Sequence, residues 1–375
     1  VSAVPAPASS PDAGTVWHYG DPLGEQRSAA NDAVVVDRSN RAVLTLTGAD
    51  RRSWLHSISS QHVSEQPDGT STENLSLDGQ GRVEDHWVQT ELDGVTYLDT
   101  EGSRGEPLLA YLRKMVFWSD VAPEPADLAV LSLLGPRLAE PAVLAALGVD
   151  ELPAESAALP VGIDPRVASL LPAGGGGFLR RVPTEPGQIE LDLVVPRAGA
   201  AGWLARLESA GVRRAGVWAY EAQRVAAQRP RLGVDTDDRT IPHEAGWIGE
   251  PGQGAVHLDK GCYRGQETVA RVHNLGKPPR MLVLVHLDGS GERPVTGDPL
   301  LAGGRVVGRL GTVVDHVDLG PIALALVKRG IPADTALTTG GEHQVPAEID
   351  PDSLPPTDAV GAGRLAVERL RRGAV

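Results

Sequence analysis

The chain has a single cysteine, Cys262, among 375 residues. One thiol closes no internal disulfide and does not by itself complete a cysteine-built zinc or iron–sulfur cage. The missing disulfide framework favours the cytoplasm over an oxidising compartment. Aromatic residues are scarce, 4% of the chain with only two phenylalanines, so the cores must be built from Val, Leu, Ile and Ala. Cations are outnumbered: 35 Lys and Arg face 49 Asp and Glu, a formal net charge of -14. That balance argues against a general nucleic-acid coat, because phosphates demand a basic surface. No run of about 18 apolar residues occurs, so no membrane-spanning helix is expected. The opening Val1-Ser2-Ala3-Val4-Pro5-Ala6-Pro7 has neither the basic start nor the apolar stretch of a secretion signal. The Asn74-Leu75-Ser76 sequon is then read as accidental. No fixed-period repeat is present.

What is present is a globular composition, 41% hydrophobic and 22% charged. At roughly 100–200 residues per domain, such a chain makes two or three domains. Residues 1–30, rich in Ala, Pro, Ser and Gly, are expected as a flexible arm. Residues 31–150 carry strand signals at 34–36, 42–47, 83–91, 95–99 and 128–134. Between them, Asp50 opens a helix in which Trp54, Leu55 and Ile58 recur at helical spacing, and a second helix covers 106–116. Residues 151–256 read as a second α+β domain, with strands at 178–182 and 189–195 and helices over 199–210 and 217–227. Its Gly174-Gly175-Gly176-Gly177 run lacks the Lys-Ser/Thr of a phosphate-binding P-loop and is expected as a flexible loop. From Met281 to residue 350, short strands at 281–285, 305–307, 311–314 and 322–326 are closely punctuated by Gly and Pro, the pattern of a small β-barrel. Residues 351–375 form a tail with a basic helix over 362–372.

The junction between the mixed region and the barrel, residues 257–280, is the most informative stretch. Domain junctions are common ligand sites. Gly261 and Gly265 flank the cysteine and let the backbone turn tightly or approach a ligand. Lys260, Arg264, Arg271, Lys277 and Arg280 outnumber Asp259 and Glu267, making a locally positive patch suited to carboxylates or phosphates. Nearby cations favour the thiolate of Cys262; the plainer alternatives are a small buried hydrophobe and a solvated basic face. His257 and His273 have no ligand-spaced partners, so no metal site is expected. Trp218 and Tyr220, two apart on a helix, do not share a face, so at least one belongs to the core.

Lys260-Gly261-Cys262-Tyr263-Arg264-Gly265-Gln266-Glu267, followed by Thr268-Val269-Ala270-Arg271, resembles the signature of the YgfZ proteins, folate-binding relatives of the glycine-cleavage T-protein. Leu46-Thr47-Gly48-Ala49-Asp50, Asp78-Gly79-Gln80-Gly81-Arg82-Val83, Ala210-Gly211 and 308–312 extend the resemblance over most of residues 30–330. It implies an α+β, three-domain T-protein-like (aminomethyltransferase) fold with a small C-terminal β-barrel, holding tetrahydrofolate in a central channel. It also implies catalytic roles for Cys262 and Asp85. Folate contacts are implied for Glu190, Arg224, Lys260, Tyr263, Arg264, Gln266, Glu267 and Arg271. A buried Glu190 would suit the amide-like pterin edge, and Asp85 the reacting nitrogen. The chain departs from the family at Arg224-Val225-Ala226-Ala227-Gln228-Arg229-Pro230, where relatives carry Glu and Gly at the positions of Ala226 and Gln228.

Three functions follow. The first is a tetrahydrofolate-binding accessory protein for iron–sulfur cluster assembly or repair, whose partners are folate and iron–sulfur client or assembly proteins. It would indirectly support iron–sulfur enzymes, tRNA-modifying ones included, with no direct nucleic-acid or membrane contact. The second is a tetrahydrofolate-dependent aminomethyl- or methyltransferase, since fold alone does not settle function. The third is a folate-free protein-binding scaffold, for which Ala226 and Gln228 speak.

Overall fold

The computed structural model describes residues 2–161, 177–249, 254–342 and 344–354. The glycine run at 174–176 and the basic helix expected over 362–372 lie outside the described residues. The described residues divide into two compact units: those within 2–56, 62–74 and 86–220 form the first, and those within 57–61, 75–85 and 221–354 the second.

In the first unit a six-stranded sheet runs in the order Ala158–Pro160, Phe178–Val182, Glu190–Pro196, Leu128–Leu134, Val34–Asp37, Arg213–Ala215. Its central strands are buried on both faces, as strands covered on both sides are. Val35 points into one core and Val34 and Val36 into another. The helix Ala200–Ser209 lays Trp203, Leu204 and Leu207 on the first of these, as its spacing predicts. On the opposite face Val130, Phe178 and Val194 pack against Val43, Val95 and Tyr97 of a five-stranded sheet, with Tyr97 and Phe178 rings 4.9 Å apart.

Residues 1–30, expected as a flexible arm, instead contain a short hairpin (Val4–Pro5 with Val16–His18) and the helix Pro22–Asn31. Asp21 caps that helix by accepting from the Gly24 amide at 2.9 Å, and Pro22 follows the cap. Ala29 is buried with Val34 and Val36, and Trp17 stacks on Trp218 at 5.4 Å. The Ala- and Pro-rich composition concealed this cap signal. Asn74 of the sequon is fully buried, and its amide donates to the Gln89 side chain at 3.1 Å, which is no geometry for glycosylation.

The second unit contains a closed six-stranded barrel in the order Arg280–Leu287, Gly320–Lys328, Arg305–His316, Pro299–Ala302, Leu337–Thr339, Pro346–Ile349. The two short strands expected at 305–307 and 311–314 are one strand, Arg305–His316, whose register shifts between Leu310 and Val313. A bulge of this kind lets a barrel strand bend without ending. Gly311 sits at the bend, where a Cβ would fall 2.4 Å from Asp235 Oδ1. Just past the helix Val217–Ala226, Gln228 has a φ of 53°, the left-handed region that suits the glycine found there in the resembled family.

Candidate functional site

In the second unit the sequence around the cysteine alternates between inward and outward residues. Lys260 is buried, and its ammonium donates to the carbonyls of Ser59 at 2.7 Å and Gln61 at 3.1 Å. Burial lowers its pKa to about 8. Tyr263 is buried among Leu75, Leu77, Val83, Trp247 and Val269, 5.3 Å from the Lys260 ammonium. Its hydroxyl meets no hydrogen-bond partner among the described residues, and burial pushes its pKa up to about 12. Gln266, at the start of the helix Gln266–Leu275, donates its side-chain amide to the Lys260 carbonyl at 3.1 Å. With its neighbours anchored inward, Cys262 is left exposed, so the buried-hydrophobe alternative for this thiol does not hold.

The hairpin tip 75–85 lies in the same unit. Asp85 is 3% exposed and accepts a hydrogen bond from Ser76 Oγ at 3.2 Å. Strand alternation turns the preceding Glu84 the other way, where Arg264 donates to it twice, at 2.9 and 3.3 Å. The turn before it, Asp78 to Arg82, closes by hydrogen bonds of 2.8 Å from the Gln80 and Arg82 amides to Asp78 Oδ1.

The positive patch read from the sequence is only partly an open surface. Lys260 faces backbone carbonyls, Arg264 faces Glu84, and Arg280 is held by Asp237 at 2.6 Å and Glu244 at 2.8 Å. Glu267 and Arg271 lie exposed on the helix after the cysteine. Arg224 lies on the helix Val217–Ala226. It is 3% exposed and donates to Glu221, Asp235 and Thr312 at 2.7, 2.8 and 2.6 Å. Burial alone would lower its pKa, but Asp235 and Glu221 hold it well above the ordinary arginine value. Glu221 lies one turn away on the same helix, as i,i+3 spacing allows, whereas Asp235 and Thr312 lie 11 and 88 residues on, in a loop and a barrel strand.

Glu190 belongs to the first unit. It opens the strand Glu190–Pro196, opposite Leu134 and Val182, and is 3% exposed rather than on the strand surface. Two residues on, along the same face, Asp192 accepts from Ser132 Oγ at 2.6 Å and Arg180 Nη2 at 2.7 Å. Burial would raise the Asp192 pKa, but Arg180 and Arg38 bring it down to about 2. Arg180 also pairs with Asp99, and Arg41 donates to Asp99 at 2.5 Å. Glu190 thus starts a buried charged row.

Among the described residues, no group of three or more His, Cys, Asp or Glu is placed to hold a metal ion, and no helix is long and apolar enough to cross a membrane. His243 is a feature the sequence reading missed. Neither ring nitrogen has a hydrogen-bond partner among the described residues, and its ring lies 6.1 Å from that of His273. Burial, then the charge on His273, lowers its pKa to about 4. The folded value lies below the unfolded one of about 6.5, so protons favour the unfolded chain. Stability from this group is intact above pH 6.5 and falls as pH drops towards 4. The expected loss at pH 5 is about 2 kcal/mol. Urea unfolding of the wild type and His243→Gln at pH 7.5 and 5 checks this; an equal pH 5 loss in both would assign it to other groups.

No protein-family model matches the chain. It is 29% identical over 239 residues to an aminomethyltransferase of Chromobacterium violaceum, a match covering 61% of this chain and 61% of the relative's length. It is 27% identical over 342 residues to an aminomethyltransferase of Stenotrophomonas maltophilia, covering 88% of this chain and 87% of that one. Among solved structures, the glycine cleavage system aminomethyltransferase T from Bartonella henselae matches with a TM-score of 0.75 over 91% of both chains, at 18% identity. The chain therefore has the T-protein-like α+β fold, closed β-barrel included.

Proposed function

We propose that this protein binds tetrahydrofolate and serves, through the Cys262 thiol, as a YgfZ-like cytoplasmic accessory in iron–sulfur cluster assembly or repair. The T-protein-like fold and the likeness to aminomethyltransferases support the folate part. In the second unit the Asp85 carboxylate, 3% exposed, suits a protonatable ligand nitrogen. Bound tetrahydrofolate would supply one-carbon chemistry. Lys260, Tyr263 and Gln266 would act by holding the thiol loop rather than by meeting the ligand with open charges.

The observation that carries the thiol part is the exposure of Cys262 between inward-anchored neighbours. Aminomethyl transfer has no need of a thiol, whereas a client or assembly protein can reach an exposed one. The buried Asp85 favours the second reading, a tetrahydrofolate-dependent aminomethyltransferase. Anaerobic calorimetric titration with tetrahydrofolate tests the shared part: saturable heat is expected, and its absence would leave the folate-free scaffold. Cys262→Ser then separates the two functions. It should keep the fold and folate affinity while iron–sulfur client activity in cells is lost. Normal client activity, together with turnover of an aminomethyl donor, would select the transferase.

A further inference from the structure

We infer that the turn at Asp78 to Arg82 and the thiol loop move as one piece, so that tetrahydrofolate held by Asp85 slows the reaction of Cys262. The inference rests on the folate reading above and adds a regulation of the same site.

The first observation is a contact between two glycines. Gly81 has a φ of 78°, and a Cβ there would fall 2.7 Å from Thr268 Cβ and 3.1 Å from the Gly265 carbonyl oxygen. Gly265 has a φ of 82°, and a Cβ there would fall 2.6 Å from the Asp78 carbonyl oxygen and 2.8 Å from Gly81 Cα. Both conformations belong to glycine, and backbone meets backbone with no room for a side chain. A displacement of the turn therefore displaces Gly265, three residues beyond the thiol. The turn does not absorb the movement, because Asp78 braces it from inside: the Asp78 amide donates to the Arg82 carbonyl at 2.9 Å, and the Gly81 amide to the Asp78 carbonyl at 3.0 Å.

The second observation is the Arg264–Glu84 pair, at 2.9 Å. It links the residue next to Asp85 with the residue two beyond Cys262. Its exposed setting makes it a weak contributor to stability, yet it joins the same two segments at a second point. On the other side, Lys260 fixes the loop to the 59–61 segment. The free freedom of the loop is thus set largely by the hairpin that carries Asp85. A ligand that stills the hairpin also stills the loop, and the exposed thiol then samples the approach geometry that an incoming reagent needs less often.

The test is alkylation of Cys262 in the full chain by iodoacetamide, followed by mass spectrometry under anaerobic conditions, with and without saturating tetrahydrofolate. Calorimetry on the same samples reports binding. Tetrahydrofolate is expected to bind and to slow alkylation by about fivefold or more. Glu84→Ala, which removes one of the two links, should bind with unchanged affinity and show a measurably smaller slowing than the wild type. Gly81→Ala, if it folds, should diminish the effect as well; Glu84→Ala keeps the test decisive if it does not. Binding without any change in the wild-type rate overturns the coupling and leaves the folate reading standing. Undiminished slowing in Glu84→Ala and Gly81→Ala also overturns it, since the ligand would then be shielding the thiol directly. No binding heat at all removes the folate reading, and this inference with it.

Discussion

Replacing Arg224 by methionine should destabilise the protein by about 3–5 kcal/mol, the usual consequence of removing one partner from a buried ion network. Methionine fills similar space and leaves Glu221 and Asp235 buried without their main counter-charge. Arg231 lies 3.3 Å from Glu221 and relieves that carboxylate in part, whereas Asp235 faces Arg224 at 2.8 Å and is fully buried. Thr312, on the bent barrel strand, loses its bond to the guanidinium as well. Urea unfolding gives the loss directly. The family resemblance implies a folate contact for this arginine, whereas its hydrogen bonds point to a structural role. Tetrahydrofolate affinity of the folded variant decides between them: an unchanged value makes Arg224 structural, and a loss of a hundredfold or so would restore the ligand role.

Glu190→Ala should weaken tetrahydrofolate binding by about a hundredfold or more, measured by anaerobic calorimetry. The reason is the strength of charge-assisted pairs: a carboxylate accepting two parallel hydrogen bonds contributes about 1.5–3 kcal/mol for each, and the buried setting of Glu190 leaves little water to compete. Glu190→Gln keeps the shape but swaps an acceptor for a donor, so it should fall between wild type and alanine. Unchanged affinity in Glu190→Ala would remove this residue from the ligand site and make it a structural end to the row formed with Asp192 and Arg180.

Much of this molecule was legible before any coordinates. The apolar runs at 34–36 and 128–134 are central strands, the spacing of Trp203, Leu204 and Leu207 is a helix face, and the closely punctuated strands after Met281 close a barrel. Alternation alone separated Glu84 from Asp85. The failures have physical causes. The arm at 1–30 was misread because its composition looks loose, although Asp21 and Pro22 form a helix start. The split of the strand Arg305–His316 came from reading the stretch from Gly308 to Leu310 as punctuation between strands rather than as part of one bent strand. The positive patch shrank because a list of charges contains no partners, and Lys260, Arg264 and Arg280 each have one.

That last point marks the boundary between the two sources. Periodicity, caps, turns and the composition of the cysteine segment are local properties, set by residues within a few positions of one another, so the sequence by itself determined the elements, the barrel and the place of the motif. The partners of buried charges are not local. Lys260 bonds the carbonyl of Ser59, 201 residues away, Arg264 bonds Glu84 at a separation of 180, and Arg224 bonds Thr312 at 88. Only tertiary packing brings such groups within 3 Å or so, where low dielectric makes pairing decisive. It was therefore the tertiary structure that turned Lys260 and Tyr263 inward, left Cys262 outside, and buried the carboxylates of Asp85 and Glu190.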